Sequence, residues 1–476
     1  RRPGRGPRGA GVIPIAFDTL LAVTGARWVA GDRTRMLSGL STDTRTLNAG
    51  DLFLSLRGPN FDGDAFAAQA LGQGAGGMLL NHASPEGFPG GVPVAVHPDP
   101  RRALGDLARW ARSRHRGHVI GVTGSCGKTS TKEFLVQLLA SQGNVHGSPS
   151  SYNNDVGVPL TLLGAPAESL AYVVEMGTNA PGEIANLCRI ARPTGAVLTN
   201  VGEAHLSGLG SAEGVAEEKG ALVRCLGLEH FCVLNADCTW SSALARSTAA
   251  RVLRFSLHGG ADFMARDLRF ENGRTRFVLQ APGLLPATEL ELPMLGAHMV
   301  QNLLAALAAV HGMGIPLENV LPHVARLRGP LRRMQVHEAG GITLIDDSYN
   351  ANPLSVAAGI RHLTRMEHAT RRILVVGDML ELGAASAQRH RDVGRQAALA
   401  GLDAVVAVGQ FAEDVAAGAR EQGLDENRLH LAADCNACQG ILPALVEPGD
   451  VVLIKASRGV GLDRLVESLL EPARAH

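Results

Sequence analysis

Residues 119–135 read VIGVTGSCGKTSTKEFL: a β-branched run that breaks at Gly124, turns through Gly-x-x-Gly-Lys-Thr and continues as a helical stretch. Strand, glycine turn and helix in that order constrain the chain strongly, because they belong to a parallel α/β sheet. In such a turn, successive backbone N–H groups and the start of the helix point at an oxyanion. Gly124 and Gly127 let the chain curl close to a phosphate, and Lys128 offers an ammonium to its terminal groups. Thr129 supplies a hydroxyl suited to Mg²⁺. Val122 stands where the longer Walker pattern has its first glycine, so the match is to the shorter motif. Cys126 sits inside the turn, where a helix N-terminus can make a thiol acidic, although the preferred reading is an inert small residue.

Similar apolar runs recur along the chain. HVIGV, AYVVEMG, GAVLTNV and FCVLNAD read as parallel strands covered on both faces. ITLIDDSY, RRILVVGDM, DAVVAVG and VVLIKAS repeat the pattern after residue 334, which predicts a second doubly wound unit. Shorter alternating runs such as RTRFVLQ predict an antiparallel extension between the two, and GAHMVQNLLAALAAVHGMG a helix with a glycine exit. The expected plan is three α/β domains. Residues 12–115 form an N-terminal substrate domain, 116–330 a central ATPase-like parallel sheet and 331–476 a C-terminal Rossmann-like domain. RRPGRGPR opens the chain, and residues 1–11 are expected to be a disordered basic extension because Gly and Pro deny them a helix.

Composition removes several alternatives. Lys plus Arg equals Asp plus Glu at 45 each, so no global field recommends nucleic acid as a partner. No apolar run is long enough for a membrane span, and the first residues lack the apolar segment of a secretory signal. Seven cysteines fit a reducing cytoplasm better than a disulfide framework. Cys435 and Cys438 form a lone Cys-x-x-Cys, which without a second pair is a weak metal signal.

Other residues are ambiguous by themselves. Glu175 ends a strand in AYVVE, where a carboxylate can complete a Mg²⁺ site or simply be solvated. His205 follows a strand, and Lys219 lies in EEK on a helix, a pattern that usually marks a solvated face. The guanine-reading Asn-Lys-x-Asp of a GTPase is missing from the sequence.

Taken together, STDTRTLNAGDLFLSLRGPNFDGDAF, TGSCGKTSTKEF, SYNNDVGVPLTLL, EMGTNAPGEI, NVGEAHLSGLGS, IDDSYNANP and VVGDMLELG resemble the Mur ligases, the ATP-dependent amide-forming enzymes of peptidoglycan assembly. The resemblance runs from about Ile13 to Glu471. It implies that ATP converts a substrate carboxylate to an acyl phosphate, which an incoming amine then attacks. The implied partners are UDP-N-acetylmuramoyl-tripeptide and D-alanyl-D-alanine, for a cytoplasmic monomer with neither nucleic acid nor a stable membrane anchor.

Residue roles follow from the same resemblance. Gly124, Ser125, Cys126, Gly127, Lys128, Thr129 and Ser130 hold the ATP phosphates, with Asn302, Arg332 and Asp347 gripping the nucleotide. Thr129, Glu175, His205 and Lys219 hold Mg²⁺. Lys219 occupies the place where the family carries a carbamylated lysine, and Lys128, His205 and Lys219 are the catalytic set. Ser41, Asp43 and Arg45 belong to the uridine-diphosphate pocket. Asn153, Asn154, Tyr349 and Asn350 line the substrate cleft. Met299 stands where the family commonly has Asn, which puts further contacts from that helix in question.

Overall fold

The computed structural model describes residues 14–58, 61–82, 88, 91–271, 273–366 and 369–470. The basic extension expected at residues 1–11 lies outside them. The chain divides into two compact units. The first comprises the chain to Val122 with Gln142–Thr178 and Gly182–Ala196, and the second comprises Thr123–Ser141, Asn179–Pro181 and everything from Val197 onward.

In the first unit a five-stranded sheet runs in the order Arg27–Ala30, Val94–Val96, Gly77–Leu80, Leu52–Leu54, Leu40–Ser41. Its pairs are parallel except at the Arg27–Ala30 edge. Phe53, Met78, Leu80 and Val94 pack one face against Ala70 and Ala75, so short runs such as LFL and GMLL need no alternation. Helix Pro100–Arg114 begins where sequence chemistry dictates. Asp99 accepts from the Arg102 backbone at 3.1 Å, and Pro100 takes the first helical position, where its missing N–H costs nothing. Strands Val145–Gly147 and Ala171–Glu175 run parallel, and Ala171–Glu175 is in turn parallel to the strand that starts at His118, with Val122 opposite Glu175.

The second unit opens with the phosphate loop and helix Lys128–Leu139. Strands Phe231–Asn235 and Arg251–Ser256 are parallel. The alternating region then becomes an antiparallel ladder of Phe263–Glu271, Arg274–Ala281 and Leu285–Leu292, as the period-two pattern predicts. Helix Ala297–Gly312 follows, apolar almost all round and correspondingly buried from Met299 to Val310 apart from Gln301.

Next comes a six-stranded sheet in the order Gln335–Ala339, Ile342–Asp347, Val451–Lys455, Arg372–Gly377, Ala404–Val408, Leu429–Ala432. All its pairs are parallel except the first. Cys435 and Cys438 lie in the core beneath this sheet, fully buried among Val406, Leu442 and Leu465. Burial pushes the Cys438 thiol up to about 12, so this pair behaves as packing, not as a metal clip. No helix among the described residues is long and apolar enough to cross a membrane.

Candidate active site

The loop is built around its glycines. Gly124 and Gly127 have φ of +150° and +82°, values that L side chains rarely adopt. A Cβ at Gly124 would collide with the Thr199 hydroxyl, and one at Gly127 with Asn302 Oδ1. Asn200 Oδ1 accepts from the backbone N–H groups of Ser125 (3.1 Å) and Cys126 (3.0 Å), which fixes the curl. Lys128 Nζ donates back to Gly124 O at 2.7 Å. No side chain caps helix Lys128–Leu139, whose positive end therefore suits an anion. Burial, opposed by the Asn200 amide and the charges of Lys128, Lys455 and Arg333, pushes the Cys126 thiol up, in keeping with its reading as an inert small residue.

This loop opens into a cavity of about 810 Å³ in the second unit. Residues 125–130 line one side; Asn302, Arg333, Asp347, Asn350 and Lys455 are among the others. Four of the expected nucleotide and substrate groups thus meet: the loop, Asn302, Asp347 and Asn350. Arg332 does not join them. Its guanidinium turns to Asp463 (2.6 Å) and Glu467 (3.0 Å). Its neighbour Arg333 enters the cavity instead, donates to Thr129 Oγ1 at 3.1 Å and stacks 4.4 Å from the Tyr349 ring centroid. Met299, wholly buried, faces Asn302, whose amide approaches its sulfur at 3.9 Å.

Lys455 was not legible as a site residue. It ends the apolar run VVLIK at the carboxyl edge of the six-stranded sheet, where open α/β folds bind ligands. Its Nζ lies 2.5 Å from Asp347 Oδ2 and donates to Asn350 O at 3.0 Å.

Lys219 is the sharpest departure from local reading. Helix Ala212–Arg224 does not expose the EEK run: Glu217 faces solvent, Glu218 is buried and Lys219 is 0% exposed. Its Nζ has no hydrogen-bond partner among the described residues. Burial, reinforced by the Lys128 charge, pushes its ammonium down to about 7. His205, at φ +57°, approaches Glu381 with Nδ1 to Oε2 at 2.5 Å. The imidazole holds the Glu381 carboxyl below its usual range, against the opposing effect of burial.

Within the first unit, Glu175 is 1% exposed and accepts from Asn153 Nδ2 at 2.9 Å. Asn154 accepts from the Val156 and Gly157 backbone at 3.3 and 2.9 Å, starting helix Gly157–Leu163. Ser41 is buried, its hydroxyl donating to Asp43 O at 2.8 Å. Asp43 caps the turn after it and pairs with Arg45 at 2.6 Å. The Arg45 hydrogen bond holds the Asp43 carboxyl below the usual range. STDTR is thus a polar turn that presents an exposed guanidinium.

Among the described residues no group of three or more His, Cys, Asp or Glu side chains converges on a metal position. A threonine hydroxyl at the helix start fits Mg²⁺ carried by nucleotide phosphates, which needs few protein ligands. The orphaned Lys219 amine fits a cation only once it has become an anion.

Three family models match the chain: "Mur ligase family, catalytic domain" over 36–112, "Mur ligase middle domain" over 122–310 and "Mur ligase, glutamate ligase domain" over 332–458. The UDP-N-acetylmuramoyl-tripeptide--D-alanyl-D-alanine ligase of Escherichia coli (strain K12) is 36% identical over 468 residues, covering 97% of this chain and 99% of that one. The crystal structure of MurF from Acinetobacter baumannii is similar with a TM-score of 0.88 at 29% identity, over 97% of this chain and 100% of that one. MurF ligase from Thermotoga maritima in complex with ADP is similar with a TM-score of 0.79 at 28% identity, over 91% and 97%.

Proposed function

The chain belongs to the Mur ligase family, and from that premise we infer that it is an ATP-dependent ligase joining D-alanyl-D-alanine to UDP-N-acetylmuramoyl-tripeptide in peptidoglycan precursor synthesis. The observation that carries the reading is the cavity in which a phosphate loop meets Arg333, Asp347 and Lys455. Lys128, Arg333, Arg361, Arg365 and Lys455 line it from distant stretches of sequence, which suits a reaction between two anions, ATP and a nucleotide-linked carboxylate.

A carboxylate resists nucleophiles. Its oxygen attacks the γ-phosphorus of ATP, the bond to the bridging oxygen breaks and ADP leaves. The amine of the dipeptide then adds to the acyl carbon and loses a proton, and the tetrahedral intermediate expels phosphate to leave the amide. Lys128, now folded onto Gly124 O, swings to the transferring phosphoryl group. Arg333, rather than Arg332, is the arginine we assign to the nucleotide, since it lines the cavity and touches Thr129. Asn302 and Asp347 grip the nucleoside side, and Tyr349 and Asn350 present the dipeptide.

Thr129 and His205, with Lys219 as its carbamate, would hold Mg²⁺, which offsets phosphate charge when bound. Glu175, buried beside Asn153, carries the carboxylate that the family resemblance assigns to metal binding. Lys219 supports its own modification. Burial pushes its ammonium down to about 7, which favours the neutral amine that is nucleophilic toward CO₂. The reaction forms an N–C bond, releases one proton and replaces a repelled cation with an anion facing Lys128. Ser41, Asp43 and Arg45 in the first unit are proposed for the uridine diphosphate, and Asn153 and Asn154 for the substrate cleft. We place the protein in the cytoplasm as a monomer. The domain limits 12–115, 116–330 and 331–476 are supported by the extents of the family matches.

Phosphate release measured with ATP, UDP-N-acetylmuramoyl-tripeptide and D-alanyl-D-alanine, each omitted in turn, tests the reading. Release should require all three. Equal release with the dipeptide omitted would refute it.

A further inference from the structure

Two loops far apart in sequence meet in the second unit, and each bends at a residue with a left-handed backbone. His205 has φ of +57° and Glu381 φ of +66°. Such positions cost free energy in any residue but glycine and persist where their surroundings over-determine them. The surroundings here are the two loops themselves. The Glu381 carbonyl accepts from the Ser207 N–H at 3.3 Å, and a Cβ on Gly383 would sit 3.4 Å from Ser207 Cα. Arg389, on helix Ser386–Leu399, donates to Glu203 Oε1 at 2.6 Å. The segment that carries His205 is thus tied down on both sides of the imidazole, at Glu203 and at Ser207. The ring meets the same partner. Its Nδ1 is buried, with Glu381 Oε2 2.5 Å away. At that distance a bare Nδ1 would set its lone pair against those of a carboxylate, whereas an Nδ1–H faces an acceptor. The neutral imidazole therefore carries its proton on Nδ1 and its lone pair on Nε2, the reverse of the tautomer that free histidine prefers. The Lys128 charge acts on Glu381, which places the pair beside the phosphate loop.

We propose that Glu381 is a positioning residue for His205: its carboxylate keeps the proton on Nδ1 and leaves the Nε2 lone pair for a cation. A ligating histidine needs one ring nitrogen bare, and a carboxylate on the other fixes both the tautomer and the ring orientation. Glu381 lies in VVGDMLELG, a stretch whose resemblance gave this residue no role. The assignment rests on His205 as a Mg²⁺ ligand. It draws the six-stranded sheet into a site whose proposed ligands, Thr129, Glu175, His205 and Lys219, all precede residue 220.

Two measurements on the full chain test it without turnover. Glu381→Gly removes the carboxylate and suits the left-handed backbone, and Glu381→Gln keeps an oxygen that can accept from Nδ1–H. The first measurement is ¹⁵N NMR of the histidine rings without metal at about pH 9, above the ordinary histidine range, with the His205 signal assigned by its loss in His205→Gln. Wild type and Glu381→Gln should show Nδ1–H, and Glu381→Gly a shift to Nε2–H. The second is Mn²⁺ titration followed by electron paramagnetic resonance in the presence of ADP. Mn²⁺ should bind about tenfold more weakly to Glu381→Gly and within about threefold of wild type to Glu381→Gln. An unchanged tautomer or unchanged Mn²⁺ affinity in Glu381→Gly overturns the proposal. So does an equal loss of affinity in Glu381→Gln, which would make the carboxylate a ligand or a countercharge. If Glu381→Gly does not fold, Glu381→Asn, one methylene shorter and tolerant of the same backbone, decides by the same measurements. A protein that passes both but releases no phosphate with all three substrates would sink the ligase reading and leave this one standing.

Discussion

Lys219, on the helix that follows the loop after residue 211, and Lys455, at the end of a strand in the six-stranded sheet, are 0% and 2% exposed. Lys455 has a carboxylate at 2.5 Å and a carbonyl at 3.0 Å. Among the described residues Lys219 has no hydrogen-bond partner for its Nζ, and the Lys128 charge acts on it. The same side chain in two dry places thus has two chemistries. Lys455 is held in an ion pair with a carboxylate, whereas burial pushes the Lys219 ammonium down to about 7, which brings its neutral, nucleophilic form within reach.

The largest break in this comparison should come from activity. Lys219→Ala is expected to lower ATP-dependent phosphate release by about 100-fold or more, the scale for losing a metal-site group. Short carboxylic acids should restore part of it by supplying the missing anion. Ordinary turnover in the variant would end the carbamate reading, and loss of a ¹³C-carbamate NMR signal on labelling with ¹³CO₂ would separate it from misfolding.

Stability should divide the two lysines in the opposite order. Lys455→Met leaves Asp347 without its cation, and urea unfolding should show a loss of about 3 kcal/mol, the low end for a broken buried pair because Asp347 keeps some solvent contact. Adding Asp347→Asn should return most of it. Lys219→Met, which removes a charge that has no partner, should cost little or stabilise.

The smallest effect is in pH dependence. The Lys219 pKa falls from its ordinary value of 10.5 to about 7 on folding, so between those values the unfolded chain holds a proton that the folded one lacks. Stability from this group therefore rises with pH across that window and is lost as pH falls through 7. The difference in melting temperature between wild type and Lys219→Met should grow as pH drops from 10 to 7 in CO₂-free buffer; a constant difference would show that Lys219 keeps its proton.

What the sequence made legible follows the range over which each signal acts. Apolar runs such as FCVLNAD and ITLIDD became buried strands because both faces of a parallel sheet ask for the same residues. The phosphate loop announced itself because its glycines are demanded within a few residues. Lys219 reads locally as part of a solvated EEK face, and only packing against remote elements buries it. Arg332 and Arg333 are chemically identical neighbours, and φ of +58° at Arg332 helps send them to opposite sides, a backbone choice that no side-chain pattern encodes. Lys455 meets Asp347 across 108 residues, so its neighbours in sequence gave no hint.

The contact of Gly127 with Asn302 also bears on how the protein acquires its function. The turn proposed to hold phosphate takes its shape partly from a helix translated long after it, so the strand–loop–helix segment cannot be a finished binding element on its own. A peptide cut to residues 119–135 would lack its mould. Phosphate affinity should emerge late in folding, after that long-range docking is complete, and should therefore report on the assembled chain rather than on its earliest structure.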